Sequence, residues 1–225
     1  MTFSLIGRCE KTNMFGVAIS SSSISVASRC PWVRAGIGAA ATQNITNPSL
    51  GNLMLDYLEK GLTANEVINK IVKNEKYIEY RQLILIDKKG NTAEYSGSKV
   101  LGKHSLEKGL NCIAAGNMLK STKIPKAMID NFLKNSHLHL AERLMIGLKA
   151  GLEAGGEEGP VHSAGIKVAD NTSWPLVDLR IDWSDNQSID ELYKLWKAFE
   201  PQMKDYKSRA LNPSEAPSYG VAGDL

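Results

Sequence analysis

Thr2-Phe3-Ser4-Leu5-Ile6-Gly7, running directly on from Met1, and Phe15-Gly16-Val17-Ala18-Ile19-Ser20-Ser21 are the two runs whose reading decides the fold. Both are rich in strand formers, and the polar turn formers Glu10-Lys11-Thr12-Asn13 lie between them. This pattern predicts an N-terminal hairpin over about Thr2 to Cys9 and Phe15 to Ser22. The first strand therefore starts at the first residue after the initiator.

Outward from the hairpin, residues 35 to 42 form a third small, apolar run. Asn47-Pro48 then reads as an N-cap followed by Pro at the first helical position, with Leu50, Leu53, Met54, Tyr57 and Leu58 at helical spacing up to Gly61. Thr63-Ala64-Asn65-Glu66 is a capping box for a second helix with Val67, Ile68, Ile71 and Val72 as its apolar stripe. Strands are expected at Gln82 to Ile86, Thr92 to Tyr95 and Cys112 to Ala115. Helices follow at about 123 to 134 and 138 to 153, the second carrying Leu140, Leu144, Met145, Leu148 and Leu152 and stopping at Gly155-Gly156. Strands near 162 to 169 and 176 to 183 and a final helix from about 188 complete the order. Hairpin-type turns between strands argue against a doubly wound parallel sheet, and paired helices suit two packed antiparallel sheets with helices outside. One domain is expected over 1–212, with an irregular tail over 213–225 that contains Pro213, Pro217, Gly220 and Gly223.

The chain has 225 residues, 43% of them hydrophobic, with a formal net charge of +3. That is enough for a substantial core and too evenly mixed in sign for a nucleic-acid footprint. No apolar run is long enough to span a bilayer, and the N-terminus lacks a signal-peptide pattern. A soluble, cytoplasmic protein with a small-molecule partner, no nucleic acid and no membrane is the expectation; a homo-oligomer is expected too, with no sequence signal for subunit number. Cys9, Cys30 and Cys112 are odd in number and read as reduced thiols. Among His104, His137, His139 and His162, the pair at 137 and 139 is two apart and faces two ways on a helix, so no metal site is predicted.

Thr2 carries the sharpest chemical signal. Methionine aminopeptidases remove Met1 ahead of a side chain as small as Thr, leaving one residue with a hydroxyl nucleophile and a free α-amine. An unperturbed α-amine titrates at about 7.7 to 8.0, so at neutral pH part of it can accept the Oγ proton. In the cluster Ser20-Ser21-Ser22-Ser23 the candidate is Ser21, whose hydroxyl can donate to a substrate. Arg29 could clamp a substrate carboxylate. Asn117, after Ile113-Ala114-Ala115-Gly116, can direct its amide NH2 at a developing oxyanion. Asp178 and Arg180 would share one strand face and could pair with each other.

Three other patterns carry no function. Gly36-Ile37-Gly38-Ala39-Ala40-Ala41 resembles a dinucleotide fingerprint but lacks the strand before it and the helix after it. Ser105-Leu106-Glu107-Lys108, in a polar loop, and Ser184-Asp185-Asn186 match two serine β-lactamase motifs with no Lys-Thr-Gly strand to follow. No cofactor is required.

Together the opening Met1 to Ile6, the run Phe15 to Ser21, Pro31-Trp32-Val33-Arg34-Ala35-Gly36, Ala41-Thr42-Gln43, Arg81-Gln82, Gly116-Asn117 and Val177-Asp178-Leu179-Arg180 resemble an uncharacterised bacterial and archaeal family classed with the N-terminal nucleophile (Ntn) hydrolases. The resemblance implies an α+β fold, a four-layer αββα sandwich of two antiparallel sheets. It also implies an amidohydrolase that cleaves a C–N bond in a small amide, peptide or ureide, with Thr2 as nucleophile and base. Ser21, Gln43, Gln82 and Asn117 carry over as matches to the family's motifs without established roles; Ser21, Arg29, Gln43 and Gln82 are expected to bind substrate and Asn117, at its strand end, to hold the oxyanion. The alternative is a non-catalytic small-molecule-binding or assembly module on the same fold.

Overall fold

The two-residue alternation of the first strand sorts its side chains into two environments. Phe3 and Leu5 join Met128, Phe132, Leu144 and Leu148 in one apolar cluster, while Ile6 joins Val17, Ile84, Ile86 and Ile113 in another. The computed structural model describes residues 1–185 and 187–223. Asn186, Asp224 and Leu225, which end the Ser184-Asp185-Asn186 match and the expected tail, lie outside the described residues.

In chain order the elements are β1 (Thr2–Arg8), β2 (Phe15–Ser21), β3 (Pro31–Arg34), β4 (Gly38–Asn44), α1 (Ser49–Glu59), α2 (Ala64–Asn74), β5 (Arg81–Asp87), β6 (Thr92–Ser96), β7 (Ser105–Gly109), β8 (Cys112–Asn117), α3 (Ile124–Lys134), α4 (Leu140–Glu153), β9 (Ser163–Ala169), β10 (Val177–Ile181), α5 (Ser188–Phe199) and α6 (Met203–Leu211). They form a mixed α+β fold with two sheets. The larger has the order β10-β9-β2-β1-β8-β7 and the smaller β3-β4-β5-β6, with every pairing antiparallel.

One face of the larger sheet carries α3, α4 and α5 through Phe132, Leu144, Leu148 and Trp196. One face of the smaller sheet carries α1 and α2 through Leu50, Met54, Val67 and Ile71, packed on Leu83 and Leu85. The remaining faces meet each other at Ile6, Val17, Ile113 and Ala115 from the larger sheet and Ala39, Ala41, Ile84 and Ile86 from the smaller. Each fully buried Leu, Ile or Phe contributes on the order of 2 kcal/mol, against about 0–1 for an exposed ion pair, so these apolar clusters determine how the elements stack.

The Thr63 capping box forms as expected: Glu66 N donates to Thr63 Oγ1 at 3.4 Å and Thr63 N to Glu66 Oε2 at 2.8 Å. Several expectations need correction. The run 35 to 42 is a turn at Gly36 (φ 70°) followed by most of β4, and a strand, the short β3, does precede the Gly36-to-Ala41 pattern, which continues into β4 and not into a helix. Ser105 to Lys108 is no loop but part of the edge strand β7, and its polar residues suit an edge. The final helix is interrupted after Phe199, where Pro201 lies in a short 3-10 turn before α6. Asp178 pairs with Lys167 at 3.6 Å and Arg180 with Asp182 at 3.5 Å, so the two do not pair with each other. Leu152, placed on the apolar stripe of α4, is 36% exposed. Beyond Leu211 the described residues carry no helix or strand, and Arg209 ties them back by donating to Pro217 O and Ser218 O.

Candidate active site

β1 is a central strand, and its first residue lies between two neighbours: Thr2 stands opposite Ser21 of β2 and opposite Asn117 of β8. Directly opposed residues share a sheet face. Here it is the face carrying Ile6, Val17, Ile113 and Ala115, turned toward the smaller sheet. On that sheet Gln43 of β4 stands opposite Gln82 of β5, in step with Ala39, Ala41, Ile84 and Ile86. The two sheets therefore bring Thr2, Ser21, Asn117, Gln43 and Gln82 to one end of the space between them, all buried.

The hydroxyls of Thr2 and Ser21 are 3.2 Å apart, and each lies 2.5 Å from the carbonyl oxygen of Met1. Ser21 Oγ is also 2.8 Å from Ser23 Oγ, which accepts a hydrogen bond from Arg29 Nη2 at 2.8 Å. A charged donor at the end of such a chain polarises each hydroxyl along it. The Arg29 guanidinium is further held by the carbonyls of Ile24 and Ser25, so it reaches the Thr2 pair through Ser23 and Ser21.

Behind the hydroxyls is a chain of amides. Ser4 Oγ donates to Gln43 Oε1 at 2.8 Å, Gln43 Nε2 donates to Gln82 Oε1 at 2.7 Å, and Asn117 Nδ2 donates to the same Gln82 oxygen at 3.1 Å. Gln82 Nε2 donates to Gly116 O and to Ser96 Oγ, both at 3.2 Å. Because Gly116 O can only accept, it fixes the orientation of Gln82 and hence of Asn117. One Asn117 N–H is thus committed to Gln82, and its buried Oδ1 has no hydrogen-bond partner among the described residues.

One residue escaped the sequence reading. Glu157, in the segment Gly155-Gly156-Glu157-Glu158-Gly159, is 1% exposed; its Oε2 accepts from Ser22 N at 3.1 Å and its Oε1 has no hydrogen-bond partner among the described residues. Burial pushes this carboxyl up to about 7, against the opposing pull of the Met1 α-amino group and the Ser22 N–H. A Glu in a glycine-rich turn has no periodicity to mark it; the bond from Ser22 N, just past β2, and the isolated bridge to Leu119, just past β8, place it beside the start of β1. Beside it lies a cavity of about 180 Å³ whose walls include Gly159, Val161, Ile189, Lys120 and Asp190.

Thr2 is 6% exposed and Met1 half-buried, so with Met1 in place the nucleophile candidate is covered. Among the described residues no three His, Cys, Asp or Glu side chains converge as a metal site would require. Cys9, Cys30 and Cys112 are free and buried, and burial pushes the Cys112 thiol up to about 12, far from a reactive thiolate. No helix among the described residues is long and apolar enough to cross a membrane.

The chain belongs to a family of unknown function, DUF1028, whose model matches residues 2–192. The crystal structure of protein SPO2555 from Silicibacter pomeroyi, assigned to the same family model, is similar with a TM-score of 0.81 and 27% identity, over 88% of this chain and 88% of its own. A structure of Anbu (ancestral beta-subunit) from Yersinia bercovieri matches over 91% of this chain and 97% of its own, with 12% identity and a TM-score of 0.36. No curated protein matches the chain.

Proposed function

We propose that this member of the family is an amidohydrolase of the N-terminal nucleophile type, with a four-layer αββα sandwich, and that Thr2 is its nucleophile once Met1 has been removed. The observation that carries the reading is the convergence of Thr2 Oγ and Ser21 Oγ on one carbonyl oxygen, that of the Met1–Thr2 peptide, at the end of a central strand. An acyl carbonyl already lies against a hydroxyl nucleophile and a second hydroxyl donor.

In the proposed cycle Thr2 Oγ attacks the carbonyl carbon of the substrate amide and its proton passes to the Thr2 α-amine. The C–N bond breaks as that proton is delivered to the leaving nitrogen, and an ester on Thr2 remains. Water then attacks the ester, giving its proton to the amine, and the Thr2 alkoxide leaves and recovers it. Ser21 Oγ, polarised by Ser23 and Arg29, and the second N–H of Asn117 stabilise the oxyanion in both steps. Gln43 and Gln82 hold the Asn117 amide in register.

The rival reading is a binding or assembly module that keeps the fold without the chemistry, and what favours it is the burial of Thr2 behind Met1. The mass of protein from its natural host, followed by incubation with an epoxyketone, separates the two. That electrophile closes a ring only with a residue that offers both a hydroxyl and a free amine. Loss of Met1 and a covalent adduct on Thr2 are expected; retention of Met1 in the host, or a mature chain that forms no adduct, would remove the catalytic reading.

A further inference from the structure

The β1–β2 ladder ends at Thr2 opposite Ser21, and the N–H of the next residue, Ser22, holds Glu157 Oε2. Glu157 therefore lies one residue ahead of the nucleophile, at the level of the group attached to Thr2 rather than of Thr2 itself. On the other side of β1 the same segment is bridged to Leu119, just past the end of β8. The carboxylate thus stands across the N-terminal end of the central strand.

Met1 shows the shape that fits there, although its own α-amino group leaves Glu157 Oε1 without a hydrogen-bond partner among the described residues. Met1 is an aminoacyl group joined to Thr2, with its carbonyl oxygen on the Ser21 and Thr2 hydroxyls and its Cε 2.8 Å from where a Cβ on Gly159 would stand. In the mature protein that space belongs to the substrate. A buried carboxylate with one oxygen unpaired is costly unless a cation meets it. With Oε2 already accepting from Ser22 N–H and Oε1 unpaired, the point charge of a primary ammonium is met by Oε1 alone, without the two-oxygen geometry that a guanidinium fork takes. The cavity walls also carry Lys120 and Asp190, of opposite sign and with Asp190 paired to Lys149 at 3.0 Å, so the outer part of a ligand meets no single charge.

We infer that Glu157 holds the free α-ammonium of an aminoacyl group, which makes the substrate class of this site amino acid amides and peptides cleaved after their first residue. The side chain of that residue lies over Gly159. This inference rests on the proposed role of Thr2, and it is testable by binding alone.

The test uses protein freed at residue 2 by cleavage of an N-terminal fusion, carrying Thr2→Ala so that the probe is not turned over. Methioninamide and N-acetylmethioninamide are titrated in turn by calorimetry. Because acetylation removes the charge, methioninamide should bind about tenfold or more tightly. Glu157→Gln should abolish that difference and Glu157→Asp restore part of it. Should Glu157→Gln fail to fold, Gly159→Val supplies the check: it should weaken methioninamide while sparing glycinamide. Equal affinities, no binding of either probe, a preference that survives Glu157→Gln, or a Gly159→Val protein that does not distinguish the two amides would overturn the assignment. Binding without hydrolysis by the Thr2 protein would instead remove the catalytic reading, and cleavage with it, and leave Glu157 as an ammonium-binding site.

Discussion

Thr2 Oγ and Ser21 Oγ lie 3.2 Å apart on adjacent strands and share one carbonyl oxygen. In the proposed chemistry they have unequal roles, one forming a bond to the carbonyl carbon and the other only donating to its oxygen. Thr2→Ala should therefore abolish turnover of an amide substrate, and Thr2→Ser retain part of it. Ser21→Ala should lower kcat by about a hundredfold to a thousandfold, the usual cost of one oxyanion donor. Steady-state kinetics on mass-verified mature protein checks all three; full activity in the Thr2→Ala protein would reject the assignment.

Gln82 separates catalysis from stability. Its side chain bonds Gln43, Asn117, Gly116 O and Ser96, all buried or part-buried. Gln82→Met keeps the volume and leaves several of these groups unpaired, at about 1–3 kcal/mol for each uncompensated one, so a clear loss in urea unfolding is expected. Asn117→Ala should lower kcat strongly with a smaller effect on KM. A normal kcat per folded molecule in the Asn117→Ala protein would reduce that residue to a structural one.

Glu157 makes stability depend on pH in a direction opposite to that of an ion-paired carboxylate. Its folded value of about 7 lies above the ordinary 4.5, so the unfolded chain ionises first as pH rises. The stability associated with the protonated form is complete below about pH 4.5 and is lost as pH rises through 7, at about 1.4 kcal/mol per unit of difference. Glu157→Gln should match the parent protein near pH 4 and be more stable above pH 7, by about 3 kcal/mol. Urea unfolding at the two ends of this range reads the difference. Equal stability at both ends would mean that the carboxyl ionises without cost.

The fourth expectation concerns the base. If the Thr2 α-amine takes the proton, kcat/KM should rise with pH through the titration of an α-amine, unperturbed at about 7.7 to 8.0. Replacing His104, His137, His139 or His162 one at a time should leave that limb in place. A protein carrying one extra residue ahead of Thr2 should be inactive. Comparable activity in that extended protein would exclude the amine as base.

Period and punctuation were enough for most of the elements. The alternation in Thr2 to Gly7, the capping box at Thr63 and the glycine stop at Gly155-Gly156 are local signals, each set by residues within a few positions of one another. They failed where an element is short, as in β3, or polar, as in the edge strand β7, because little apolar surface is there to set a period. Among the candidate site residues, Thr2 stands out in the sequence because the chemistry proposed for it depends only on its place next to Met1. Asn117 was legible as a strand end, although nothing local showed that half of its amide is committed to Gln82.

The sequence by itself thus determined most of the strands and helices, the buried face of each, and a hydroxyl at the start of the first strand, since all of these follow from neighbours along the chain. Which groups meet that hydroxyl was decided only by the tertiary structure. Strand register sets Ser21 and Asn117 on either side of Thr2, sheet packing brings Gln43 and Gln82 behind them, and a turn more than 150 residues away delivers Glu157 to the strand end. The physical reason is that a hydrogen bond or buried charge acts over a few ångströms in space with no constraint on separation along the chain. Glu157, in a glycine-rich turn, has no pattern of its own until burial removes its water and leaves one oxygen unpaired.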